Sequence, residues 1–141
     1  MISRTAIHGL RALMILAEMP PDQYAGTAEL AKQIKAPRNY LGKLLQRLAD
    51  EGLLESQRGK GGGFRLARPP ERITIYDVVE PLDRVSRWEG CLLGRSRCSD
   101  EAPCPVHVRW AKVRAVYLEF LRTTTLDELV AQRRESPSCR S

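Results

Sequence analysis

The sequence predicts a mainly α fold with a small β wing: a winged helix-turn-helix followed by a long C-terminal helix. Three observations predict it. Two short amphipathic patterns meet at a tight turn, Lys35-Ala36-Pro37. A glycine run, Gly59-Lys60-Gly61-Gly62-Gly63, separates two short strand-like stretches. A second long helical pattern follows a polar, cysteine-bearing segment. The chain has 141 residues, 43% of them apolar, which suits one ordinary core and not two.

The elements follow in order. Residues 4–19 read as a helix in which Arg4, Arg11 and Glu18, seven apart, make one charged stripe. Ile7, Leu10, Leu13, Met14, Leu16 and Ala17 cover much of the rest, so this helix is covered on several sides. Pro20-Pro21-Asp22 ends it. Thr27 then offers an N-cap oxygen to a short helix carrying Leu30, Ala31 and Ile34. After the turn, a third helix runs from about Arg38 to Glu51, with Leu41, Leu44, Leu45 and Leu48 at core spacing and Gly52 as its stop.

Beyond Gly52 the alternation of Leu54, Ser56 and Arg58 with Leu53, Glu55 and Gln57 predicts a strand. The glycine run returns the chain into Phe64-Arg65-Leu66, completing a two-stranded wing. Arg68-Pro69-Pro70-Glu71 reads as a linker. Thr74 and Asp77 cap a helix through Val79 to Leu82, with Pro81 as its kink or end. Gly90 to Pro105 is a polar loop holding cysteines. From there to about Arg122, Val106, Trp110, Val113, Val116, Tyr117, Phe120 and Leu121 form one apolar stripe, interrupted by Arg109. Thr125 and Glu128 make a capping box for a last helix, residues 126–132. The expected division is therefore a winged helix-turn-helix domain over 1–68, then a linker helix, cysteine loop and long helix over 69–132, and a solvated tail over 133–141.

Charge narrows the function classes. The net charge is +6, and residues 1–70 hold eleven Lys plus Arg against six Asp plus Glu, against twelve and eleven in the remainder. The basic footprint lies in the first half and calls for an anionic partner. No apolar run has membrane-spanning length, and Met1-Ile2-Ser3-Arg4 lacks the apolar core of a signal peptide. The expectation is a cytoplasmic protein with no membrane partner, and in a reducing cytosol four cysteines point to metal or redox chemistry rather than a disulfide framework.

A helix that reads DNA keeps one face in the core and presents the other, near its N-terminus, to the major groove. Arg38 and Asn39 lie at that end, off the leucine face, and both side-chain types can bond a base edge in two-pronged fashion. Lys43 and Arg47 suit phosphates. Tyr40 fits either the core or the groove. Arg58 and Lys60 flank glycines at the wing tip, where the backbone can approach DNA closely and Arg can enter a narrow minor groove. The glycine run is no P-loop, because it lacks the terminal Gly-Lys-Ser/Thr and no helix follows.

Cys91, Cys98, Cys104 and His107 form a C-x6-C-x5-C-x2-H pattern. Thiolates are soft donors, suited to zinc, copper(I) or iron-sulfur clusters. Structural zinc sites favour tight C-x2-C pairs, whereas these longer intervals leave room for a bulkier centre. The residues thus point to an iron-sulfur cluster, [2Fe-2S] or [4Fe-4S], with zinc and a thiol or disulfide switch as alternatives. Cys139 stands outside the spacing. Catalysis is not expected: there is no paired acid and base, no activated nucleophile and no dinucleotide fingerprint, so no small-molecule substrate.

Together these residues resemble the IscR/NsrR-like family of winged helix-turn-helix transcriptional regulators with a three-cysteine iron-sulfur loop. The resemblance runs from Gly9-Leu10-Arg11-Ala12-Leu13 through Asn39-Tyr40-Leu41, Arg58-Gly59-Lys60-Gly61-Gly62-Gly63-Phe64 and the three cysteines to Thr125-Leu126-Asp127-Glu128-Leu129. It implies a repressor that binds a double-stranded operator as a homodimer, the long helix serving dimerisation and the cluster loop lying near the other subunit's DNA-binding head. It also implies that Asn39, Tyr40, Lys43 and Arg58 contact DNA and that Cys91, Cys98 and Cys104 hold a cluster sensing redox, nitric oxide or iron status. Two departures stand out. The family's cysteine intervals are five residues each, and the first here is six. Where some members place an acidic fourth ligand in the first helix, this chain has Ile7 beside His8, which leaves His107 as the fourth-ligand candidate.

Overall fold

The computed structural model describes residues 2–89, 92–93 and 105–135. Among the described residues, six α-helices and a two-stranded antiparallel sheet follow one another in the mainly helical, winged arrangement expected from the sequence. Helix α1 (Arg4–Glu18) starts at Ser3, whose hydroxyl accepts from the Ala6 N–H. Ser3 also donates through its backbone N–H and hydroxyl to the Asp83 carboxylate, which pins the start of α1 to the end of α4 (Ile75–Asp83). Gly9 sits where these helices cross. A Cβ there would meet the Leu82 side chain at 3.3 Å, so the leucine would have to give by a few tenths of an ångström.

Helices α2 (Thr27–Ile34) and α3 (Arg38–Asp50) form the helix-turn-helix. Thr27 is not the cap expected from the sequence: it is the first helical residue, the cap is Gly26, and no side chain bonds there. Lys35 closes α2 in the left-handed region at φ 62°, and its N–H bonds back to the Ala31 carbonyl. Strands β1 (Leu54–Gln57) and β2 (Gly63–Leu66) pair with Leu54 opposite Leu66 and Gln57 opposite Gly63. A third segment joins them. Ala25 exchanges two backbone hydrogen bonds with Phe64, of 2.8 and 2.9 Å. Gly63 makes this possible, because at φ 139° a Cβ there would stand 2.0 Å from the Ala25 carbonyl oxygen. The wing is thereby fixed to the residue pair that leads into α2.

Arg68-Pro69-Pro70-Glu71 enters a short 3-10 turn, Pro70–Arg72. Helix α4 has the expected capping box, Thr74 accepting from the Asp77 N–H while Asp77 accepts from the Thr74 N–H. It passes through Pro81 and ends two residues later at Asp83, so the proline sits inside the last turn and does not itself stop the helix. A 3-10 segment, Val85–Glu89, follows. Helices α5 (His107–Thr123) and α6 (Leu126–Glu135) complete the chain, and α6 continues beyond residue 132, where the sequence reading ended it.

Two apolar clusters make the interior. One joins Leu13, Leu30, Leu41, Leu45 and Phe64 with Ile73 and Leu126; the other joins Ala6, Val79 and Val85 with Leu118 and Leu121. Leu10, Leu82 and Leu129 pack against both, so the two are one continuous body. The α5 stripe is split. Leu121 of the expected stripe is buried, together with Leu118 just outside it, whereas Val113, Val116 and Phe120 are 59%, 67% and 52% exposed. At 100° per residue the buried pair and the exposed trio point to different sides, so α5 covers the body with one edge of a broad apolar face.

Candidate nucleic-acid interface

Leu41, Leu44, Leu45 and Leu48 anchor α3 in the core, which turns Arg38, Asn39 and Lys43 outward at its N-terminal end. At the wing, Gly59 (φ 92°) and Gly61 (φ 79°) take conformations that side chains resist, and the turn they make exposes Arg58 and Lys60. Among the described residues none of Arg38, Lys43, Arg58 or Lys60 has an ion-pair partner. Their charge is therefore available to an outside anion. Arg65, by contrast, is spent inside the wing: it pairs with Glu55 directly across the strands at 2.7 Å and lies 4.7 Å above the Tyr24 ring.

Tyr40 and Arg47 are placed differently from their neighbours. Tyr40 is half-buried, and its hydroxyl donates to Thr5 Oγ1 at 3.1 Å and lies 3.2 Å from His8 Nδ1. His8 stacks edge-on to the Tyr40 ring, with centroids 5.7 Å apart. Partial burial, and then the Arg11 and Arg4 charges, hold the His8 imidazole below its ordinary range. Arg47 is exposed and donates through Nη2 to the Pro81 carbonyl. That oxygen belongs to the last turn of α4, where no helical N–H remains to serve it, so α3 caps α4 through Arg47.

Of the expected metal ligands, Cys91, Cys98 and Cys104 lie outside the described residues, as does Cys139. His107 is half-buried as the first residue of α5. Among the described residues no group of three or more His, Cys, Asp or Glu side chains gathers around one point. No described helix is long and apolar enough to cross a membrane. Sequence reasoning missed the Tyr40-Thr5-His8 contacts and the Arg47 cap. Their partners lie 32 to 35 residues away in the chain, and no local pattern signals them.

Comparison with known proteins matches residues 2–132 to the Rrf2 pattern, described as "Iron-dependent Transcriptional regulator". A protein of Aquifex aeolicus (strain VF5), described as an HTH-type transcriptional regulator, is 36% identical over 130 residues, covering 91% of this chain and 90% of the other. Among solved structures, CymR, the global cysteine regulator of B. subtilis, aligns with a TM-score of 0.76 at 27% identity, over 94% of this chain and 97% of that one. IscR of T. potens aligns with a TM-score of 0.76 at 25% identity, over 96% and 89%.

Proposed function

The chain belongs to the Rrf2 family of transcriptional regulators, and from that premise we propose that it is a DNA-binding repressor whose operator affinity is set by an iron-sulfur cluster. The carrying observation is the pair of basic tips on one packed body: Arg38, Asn39 and Lys43 on α3, and Arg58 and Lys60 on the wing. In this reading Arg38 and Asn39 bond base edges in the major groove, Lys43 and Lys60 meet phosphates, and Arg58 enters the minor groove. Tyr40 acts from behind the helix, bracing it against α1 through Thr5. Arg47 serves as both cap and phosphate neighbour. Two copies, joined through the exposed Val113, Val116 and Phe120 face, read a two-fold symmetric operator.

Three thiolates and an imidazole are a donor set that iron-sulfur centres take, so the residues present fit the group. Cys91, Cys98 and Cys104, with His107 as fourth ligand, would hold it. Bound there, the cluster supplies a centre that oxidation or iron loss destroys. The chain's own part is mechanical. The cysteine segment lies between the end of the 3-10 segment after α4 and the start of α5. Through Arg47 the end of α4 is tied to α3, and Val85 packs with Leu118 and Leu121 of α5. Holding or releasing the segment therefore biases the spread of the two heads, by the roughly 1 to 3 kcal/mol usual for coupled sites.

A second reading is a cluster-free repressor using zinc or a thiol or disulfide switch. The likeness to the cysteine regulator CymR favours it. Anaerobic purification followed by absorbance and by iron and sulfide counts separates the two. The cluster reading expects a coloured protein that loses its visible absorbance in each of Cys91→Ala, Cys98→Ala and Cys104→Ala. A colourless, iron-free preparation that still binds its operator normally overturns it.

A further inference from the structure

One face of α1 plays no part in the proposed DNA contacts. Arg4, Thr5, His8 and Arg11, at i, i+1, i+4 and i+7, share one side of the helix. They front an open pocket of about 720 Å³, completed by Ile34, Lys35, Pro37 and Tyr40. Three cations line it and no carboxylate does. Among the described residues none of Arg4, Arg11 or Lys35 has an ion-pair partner, unlike Arg65 and Arg68. The Tyr40 hydroxyl donates its single proton to Thr5, so it accepts from His8 Nδ1. The lone pair of the neutral ring is then on Nε2, the atom left to take a second proton.

We infer that this pocket seats a phosphate group, held by Arg4, Arg11 and Lys35, with His8 taking a proton on Nε2 as the anion arrives. The inference rests on the DNA-reading function in one respect, the source of the phosphate. Lys35 is in the turn of the helix-turn-helix and Pro37 caps α3, so the pocket opens beside the end of α3 that carries Arg38 and Asn39. A backbone phosphate beside the major groove entered by α3 is the source within reach, and inorganic phosphate has the same chemistry. The charged and titratable groups facing His8 are Arg4 and Arg11 from α1, Lys35 from the turn and Tyr40 from α3. Partial burial, and then the Arg11 and Arg4 charges, hold down the ring's proton affinity while the pocket is empty. An anion reverses that balance, raises the imidazole's proton affinity, and so makes binding tighten as pH falls.

Two probes test this with the full chain: a random-sequence DNA duplex and inorganic phosphate. The double variant R4Q/R11Q, whose side chains are exposed and whose melting temperature serves as the folding control, is expected to bind the duplex roughly tenfold more weakly. Its log affinity against log salt should flatten by about 1 to 2, the mark of lost phosphate contacts. Wild-type binding should strengthen between about pH 8 and pH 6, and that dependence should vanish in His8→Gln, which leaves His107 untouched. An NMR titration of the His8 ring with inorganic phosphate then distinguishes the sources. A shift abolished in R4Q/R11Q makes the site one for a free anion, whereas DNA effects without such a shift make it a DNA-backbone site. Unchanged duplex affinity and salt slope in R4Q/R11Q, with a His8 signal unmoved by phosphate, overturns the pocket. If Lys43→Gln and Arg58→Ala lose affinity while R4Q/R11Q does not, the DNA reading stands and the pocket alone fails. If wild-type protein does not bind the duplex at all, the DNA reading fails and the phosphate titration decides the pocket.

Discussion

Helices α3 and α5 are both amphipathic, and they finish with opposite surfaces. In α3 the apolar face is four leucines wide and wholly covered, Leu41, Leu45 and Leu48 reaching 0% exposure, while polar and basic residues face outward. In α5 the apolar face is broader than the body it packs against, so Val113, Val116 and Phe120 remain in water. The first helix is complete as it stands and offers charge. The second is incomplete, because an exposed apolar stripe gains free energy only by meeting another apolar surface.

That contrast can be broken most forcefully at Leu45. Leu45→Ala should cost about 2 to 5 kcal/mol of unfolding free energy, the usual range for a buried leucine. A denaturant midpoint close to wild type would show that α3 is not as tightly covered as its exposure says. The α5 side is probed by Phe120→Asp. If a second copy covers this face, the substitution removes about 1.5 to 3 kcal/mol of apolar burial per subunit and drives the protein to monomer in sedimentation equilibrium. A mass unaltered by the change would leave the stripe without a partner of its own kind. The smallest effect on stability sharpens the comparison. Asn39→Ala, on the exposed face of α3, should alter stability by no more than about 0.5 kcal/mol. It should nevertheless weaken operator binding by about 1 to 3 kcal/mol, measured by fluorescence anisotropy.

Much of the fold was legible because its signals are local. The leucine spacing of residues 41–48, the glycine stop at Gly52 and the Thr74-Asp77 box each act within a few residues, and each element stands where they put it. The helix-turn-helix and the wing of the candidate interface were legible for the same reason. Where the reading slipped, a longer range was involved. Thr27 has the right chemistry for a cap, but Ala25 is paired with Phe64, which brings Gly26 to the cap position instead. The α5 stripe was visible as apolar periodicity, yet periodicity does not say which edge the rest of the chain will cover. The pocket between α1 and the turn was invisible for the same reason: Arg4, Arg11 and Lys35 become neighbours only after α1 packs beside the turn.

The backbone pairing of Thr74 with Thr125 has a consequence for how such a chain can vary. Ile75 donates to the Thr124 carbonyl and Leu126 to that of Ile73, at 3.0 and 2.7 Å, so the polypeptide leaves the DNA-reading head and re-enters it at one spot. Everything in between, the cysteine segment and α5 included, is an excursion sewn shut at its base, with Ile73 and Leu126 sunk side by side in the head's interior. Lengthening such an excursion by a residue leaves the seam and the head it closes in register. Insertions or deletions between Ile75 and Thr124 can thus be accommodated while the head keeps its shape.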